Sequence, residues 1–153
     1  MALIHGTLKR AILERIRELA LTDSDTGLPV QVSPTMPPVI ERRCVYAGAV
    51  RWSQTELTAE RAAVTRQTVT VEIRIRSEDA GGDIDKAERD AEALQSAIAA
   101  GVVREPFILG DAGSLVATSG DADPTVVAPD PDPKVIVNLG IIFTATVNTT
   151  AVS

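Results

Sequence analysis

The chain has 153 residues, enough for a single domain with its own core, and 44% of them are hydrophobic, too many for a disordered chain. Aromatic residues make up only 3%, so the core must be built from Val, Ile, Leu and Ala. The formal net charge is −6, with a pI near 4.8, a balance that argues against a basic patch for gripping nucleic acid. One cysteine, Cys44, excludes an internal disulfide and reads as a small strand residue.

The N-terminal stretch "MALIHGTLKRAILERIRELAL" is interrupted by Lys9, Arg10, Glu14, Arg15, Arg17 and Glu18. It therefore lacks the continuous apolar region of a signal peptide. No apolar run approaches the roughly 20 residues of a membrane span, and a soluble, intracellularly made protein is expected. Residues 7–21 read as an amphipathic helix. Leu8, Ile12, Ile16 and Leu19 share one face, Thr7 is the expected N-cap, and "TDSDTG" supplies the stop. Pro29, Pro34, Pro37 and Pro38 then exclude a long helix, leaving "LPVQV" as a short edge strand and "SPTMPP" as an extended connector.

Residues 43–54 and 64–77 read as two strands of a long hairpin. In the second, Val69, Val71, Ile73 and Ile75 alternate with Thr70, Glu72, Arg74 and Arg76. The connecting "TELTAERAA" is expected as a mobile tip or a helical turn. Gly81 and Gly82 break the second strand. Asp83 then caps a helix in which Ile84, Ala87, Ala91, Leu94 and Ile98 recur at helical spacing, closed by Gly101. "SLVATS" and "PTVVAP" are short strand candidates, and "KVIVNLGIIFTATVNT" is a long one. The Asp- and Pro-rich "GDADPTVVAPDPDPK" reads as an exposed, stiff loop. No repeat of solenoid length occurs. The expected fold is a single α+β domain over residues 1–153, with a mainly antiparallel sheet, a long β-hairpin and two amphipathic helices on one face.

Chemistry is hard to find in this chain. His5 is the sole histidine, placed before the first helix, and His5 with Cys44 cannot make a zinc site of the usual kind. Nothing brings the two together as a nucleophile pair, and no G-x-S-x-G is present. "DSDTGL" departs from a calcium loop because Gly27 falls fifth and Pro34 twelfth, so a helix-ending turn is the better reading. Asp121, Asp123, Asp130 and Asp132 read as a solvated acidic loop rather than a cation site. "DAGGD" precedes a helix but lacks the Walker lysine, and its acidic neighbours would repel an anion. No catalytic residue, cofactor or metal is expected.

Four residues stand out as subunit-interface candidates. Arg74 and Arg76, with Arg66 and Arg51, form either a basic stripe toward an acidic neighbour or an ordinary solvated face. Trp52 and Leu57, near the hairpin tip, suit core packing and a partner contact about equally.

The order and rhythm of these elements resemble the tail terminator (tail completion) proteins of long-tailed bacteriophages. The resemblance runs through the helix at residues 7–21, "SPTMPP", the hairpin into "VTVEIRIRS", "GGDIDKAERDAEALQSAI" and "VNLGIIFTATV". It implies a virion structural subunit, without catalytic residues, that forms a ring with copies of itself, commonly a hexamer. Such a ring sits at the head–tail junction, caps the tail tube protein, docks to the head–tail connector and lets DNA pass through its lumen; no membrane is involved. The alternatives are another neck or adaptor component, a tail-tube subunit, a small ligand- or peptide-binding module and, least of all, a carboxylate-pair enzyme.

Overall fold

A computed structural model describes residues 5–38, 42–59, 62–79, 81–104, 114–127 and 134–150. Seven elements follow in order: α1 (His5–Glu18), β1 (Gln31–Ser33), β2 (Arg43–Ala59), β3 (Ala62–Asp79), α2 (Ile84–Val103), β4 (Ser114–Val127) and β5 (Lys134–Thr150). The strands form one open sheet in the order β1-β2-β3-β5-β4, antiparallel throughout except for β1, which pairs parallel to β2. The fold is α+β, with both helices on one face of the sheet.

That layering follows from the period-two pattern of β3 and β5. Val69, Val71, Ile73 and Ile75 are opposed by Ala145, Phe143, Ile141 and Leu139, and all eight are buried. Beneath them lie Leu8, Ile12, Leu13 and Ile16 of α1 and Ala87, Ala91, Leu94, Ile98 and Val102 of α2. Among the described residues Phe143 is the largest fully buried side chain, so the described core is aliphatic around one aromatic ring.

Several boundaries differ from the sequence reading. His5 opens α1 rather than preceding it, and Thr7 lies inside the first turn instead of capping it. The helix ends at Glu18 because Ala20 takes a positive φ of 50°, a conformation that no α-helix can continue through. Gly101 does not close α2, which runs to Val103. Its missing side chain serves a close approach instead: a Cβ there would lie 2.5 Å from a methyl of Leu19, in the turn just after α1. The expected N-cap does hold, since Asp83 accepts from the Lys86 amide at 3.1 Å.

The hairpin is longer and tighter than expected. Where a nine-residue tip was anticipated, β2 and β3 stay paired as far as Ala59 and Ala62, leaving only residues 60 and 61 between them. The sequence "TELTAERAA" contains no Gly or Pro to interrupt such pairing. "SLVATS" and the first four residues of "PTVVAP" are parts of one strand, β4, joined through an irregularity between Ser119 and Ala122; Ala128 and Pro129 fall outside the described residues. The acidic segment expected as a loop is therefore strand as far as Val127; Asp130 and Asp132 fall outside the described residues.

Two bulges set the sheet's shape. In β2, Gly48 and Ala49 together oppose Glu72, which moves the core-facing position from odd to even numbers: Ala47 and then Val50 and Trp52. A Cβ at Gly48 would stand 2.4 Å from a Glu72 carboxylate oxygen, so glycine leaves room for that side chain to lie across the strand. In β4, Gly120 and Asp121 stand opposite Gly140, whose carbonyl accepts from Gln95 of α2 at 3.3 Å.

Truncation at the centre of this core tests the layering. Phe143→Ala is expected to cost about 3–5 kcal/mol, read as a lowered urea midpoint. A loss below about 1 kcal/mol would show that Phe143 is not buried between sheet and helices.

Candidate functional site

Two features go beyond what the fold needs to hold together: a packed cluster of charges at one end of the sheet and a bare, extended arm at the other.

The charge cluster joins four parts of the chain. Arg42 and Arg43 sit at the start of β2, Glu78 and Asp79 at the end of β3, Asp83, Lys86 and Asp90 on or just before α2, and Asp25 in the turn after α1. Arg43 is only 2% exposed; its guanidinium pairs with Asp90, lies 3.6 Å from Asp25 and donates to the Glu78 carbonyl at 2.6 Å. Arg42 pairs with the same Asp25, reaches Asp79 at 3.7 Å and also donates to the Glu78 carbonyl, at 3.2 Å. Lys86 completes the ring around Asp25 at 2.9 Å. Asp79 holds the start of α2 by accepting from the Asp83 amide at 2.8 Å.

The "DSDTGL" turn is shaped for this task. Asp23 accepts from the Asp25 amide at 2.8 Å, its carbonyl accepts from Gly27, and Gly27 takes a φ of 70°. Three cations thus face Asp25, Asp79 and Asp90. A buried pair of this kind specifies position more than it adds stability. The cluster ties strand ends to helix start and leaves no charge free for a ligand. Among the described residues, no group of His, Cys, Asp and Glu could hold a metal ion, and no helix is long and apolar enough to cross a membrane.

The face of the sheet away from the helices carries no layer among the described residues. Register places Tyr46, Glu72, Arg74, Arg76, Glu78, Asn138, Ile142 and Thr144 there, and all are partly exposed. Arg74 and Arg76 do share this face, as their spacing required, but each has a carboxylate beside it: Arg74 with Glu72 at 3.1 Å and Arg76 with Glu78 at 3.2 Å. The middle of the face is therefore two adjacent arginines flanked by a glutamate on each side, with Arg51 and Arg66 exposed farther along. Partly exposed pairs of this type contribute little to stability.

Toward the tip the helix layer no longer covers β2, although Val69 and Ala145 in the same row stay buried. Arg51, Trp52, Ser53 and Gln54 are all exposed, and consecutive residues alternate between faces, so both faces of β2 are bare there. Trp52, the chain's one tryptophan, is 57% exposed although it opposes Val69, which is fully buried. The β2 bulge puts it on the helix side but beyond the helices' reach. Leu57 pairs with Val64 in the backbone, and its side chain lies outside what the structure describes. On β4, Val116 is 56% exposed on the uncovered face. Arg74 and Arg76 thus fall together, Trp52 falls apart from them, and the charge cluster was missed. Its one sequence signal was an Arg-Arg pair at a strand start, with carboxylates on both sides of the "DAGGD" turn.

These features define an open-faced α+β fold whose β2–β3 ribbon runs on beyond its buried core. No protein-family model matches the chain, and no curated protein sequence matches it. Among solved structures, the chain is similar to one from the virion of a native gene transfer agent particle, with a TM-score of 0.60 at 17% identity, over 97% of this chain and 100% of that one. The likeness extends over the whole fold.

The charge cluster generates a pH expectation. Lys86 bonded to Asp25, with the Arg42 and Arg43 guanidiniums near it, holds the Asp25 carboxyl below its ordinary value of 3.8. A lowered folded-state value means that the unfolded chain binds more protons there. The stabilisation is complete above about pH 4 and is lost as pH falls through the folded value. Asp25→Asn is therefore expected to be less stable than the parent at pH 7, with the gap closing on acidification, read from urea midpoints at both ends of that range. Arg43→Ala, which strands Asp90, is expected to cost about 3 kcal/mol at pH 7.

Proposed function

We propose that this chain is a virion structural subunit of a phage-like particle, and that it acts as a tail terminator: copies of it close into a ring, six above all, at the end of the tail tube. The observation that carries this reading is the bare arm. A strand ribbon extending beyond its own hydrophobic core has little to stabilise it alone and needs a packing partner. An exposed tryptophan such as Trp52, at the base of such a ribbon, is a typical anchor for one.

Two further facts support the reading. The similar chain over this whole length belongs to a virion particle. The charges in the deepest cluster are spent on holding strands to helix, so they look structural rather than catalytic. In the proposed role the ring stops growth of the tube, offers a surface to the head–tail connector, and leaves a lumen through which DNA passes. The overall charge of −6 suits that passage, since DNA would be repelled rather than held. Heterologous contacts that close by rotation generate such a ring, whereas contacts that fail to close generate a tube.

Native mass spectrometry of the purified chain over a concentration series tests this, together with electron microscopy after tail tubes are added. A single closed species, or caps at one end of the tubes, is the expected outcome. Open-ended polymers would point to a tube subunit instead, and a strict monomer that leaves tube ends uncapped would end the proposal. Trp52→Ser is expected to weaken assembly at least tenfold while changing monomer stability by less than about 0.5 kcal/mol, as befits an exposed side chain.

A further inference from the structure

The two edges of the sheet are not protected alike along their length. On one edge, β1 covers β2 only at Cys44, Val45 and Tyr46, and the bulge at Gly48 and Ala49 follows directly. Beyond it, residues 50–59 form the sheet's edge with no partner among the described residues. That stretch, "VRWSQTELTA", holds no Pro, Gly or Lys. On the other edge, β4 carries a bulge at Gly120 and Asp121, then Asp123 and Pro124, all devices that discourage strand addition. Its first six residues, "SLVATS", have none of them.

The two unprotected stretches lie level with one another. Arg51 opposes Thr70, Thr70 opposes Thr144, and Thr144 opposes Val116, so a single row across the sheet ends in an exposed residue on each edge. The strand directions also match. With β2-β3-β5-β4 antiparallel at each step, β4 runs opposite to β2. A second copy placed edge to edge by rotation therefore brings its β4 antiparallel to β2 of the first. Within one copy the two edges are separated by β3 and β5.

We propose that the free length of β2, centred on residues 50–53, pairs as an antiparallel strand with residues 114–119 of β4 in a second copy, continuing the sheet from subunit to subunit. A twofold β2–β2 contact would use one edge and leave β4 bare, whereas the β2–β4 contact uses both edges of every copy. It also sets Arg51 on an edge whose opposing strand, β4, bears two Asp and no cation. This inference rests on the ring reading, for which it names the contact.

Two full-length variants test it, Arg51→Cys and Val116→Cys, each at an exposed position and each retaining the buried Cys44. The reagent is a flexible bismaleimide, with circular dichroism to check folding. A mixture of the two variants is expected to give Arg51–Val116 position links, identified by peptide mass spectrometry, at least tenfold above links within either variant alone. The doubly substituted chain should give a ladder that stops at the size of the ring. Links only between Arg51→Cys chains would establish the twofold contact and overturn the pairing. A closed ring by native mass spectrometry with no link between the two positions would overturn the pairing and leave the ring reading standing. Failure to form any oligomer or tube cap would remove both.

Discussion

Alternation along β3 and β5 places every second side chain under α1 and α2, and the two helices can cover only one face of five strands. That constraint organises the molecule. The face below the helices is aliphatic and dry, from Val69 through Ile75 and from Leu139 through Ala145. The other face must be tolerable to water, which explains why it carries the Glu72–Arg74 and Arg76–Glu78 pairs where a layered fold would place another core. The β2–β3 pairing runs on past this core, and at residues 51–54 of β2 neither face is covered.

The charge cluster and the bulges serve the same division. Arg42, Arg43, Lys86 and their carboxylates fix the end of the sheet far from the arm, where β2 begins, β3 ends and α2 starts. The Gly48–Ala49 bulge then changes the phase of β2, so that Trp52 lands on the helix side of the arm rather than among the arginines. One glycine in one strand thereby decides which surface the chain's only tryptophan offers.

Much of this was legible in the residues. The period-two run of "VTVEIRIRS" fixed which face of β3 is buried, the Asp83 cap marked the start of α2, and the last two residues of "LPVQV", Gln31 and Val32, open the edge strand β1. What escaped notice depended on long-range geometry. Gly101 has the local look of a helix stop, yet its lack of a side chain answers to Leu19, 82 positions earlier in the chain. "TELTAERAA" is rich in helix formers, but pairing with β3 overrides that local preference. The phase change in β2 had a signal, a lone glycine inside a strand pattern, which is a recognised mark of a bulge. The Arg43 cluster had almost none, because its members come from four separate stretches and meet only once the sheet has formed. Of the interface candidates, Arg74 and Arg76 could be put on one face by spacing alone, whereas the exposure of Trp52 depended on where the helices end.

In the proposed assembly the bare arm is covered, and Trp52 reports on that without any label, being the chain's one tryptophan. Its fluorescence should be measured, with acrylamide quenching, from dilute solution up to concentrations at which oligomers form. The account expects red-shifted, readily quenched emission in the dilute chain, and a blue shift with several-fold protection from the quencher as copies associate. Emission and quenching that stay unchanged while oligomers form would place Trp52 outside every subunit contact and contradict the role assigned to the arm.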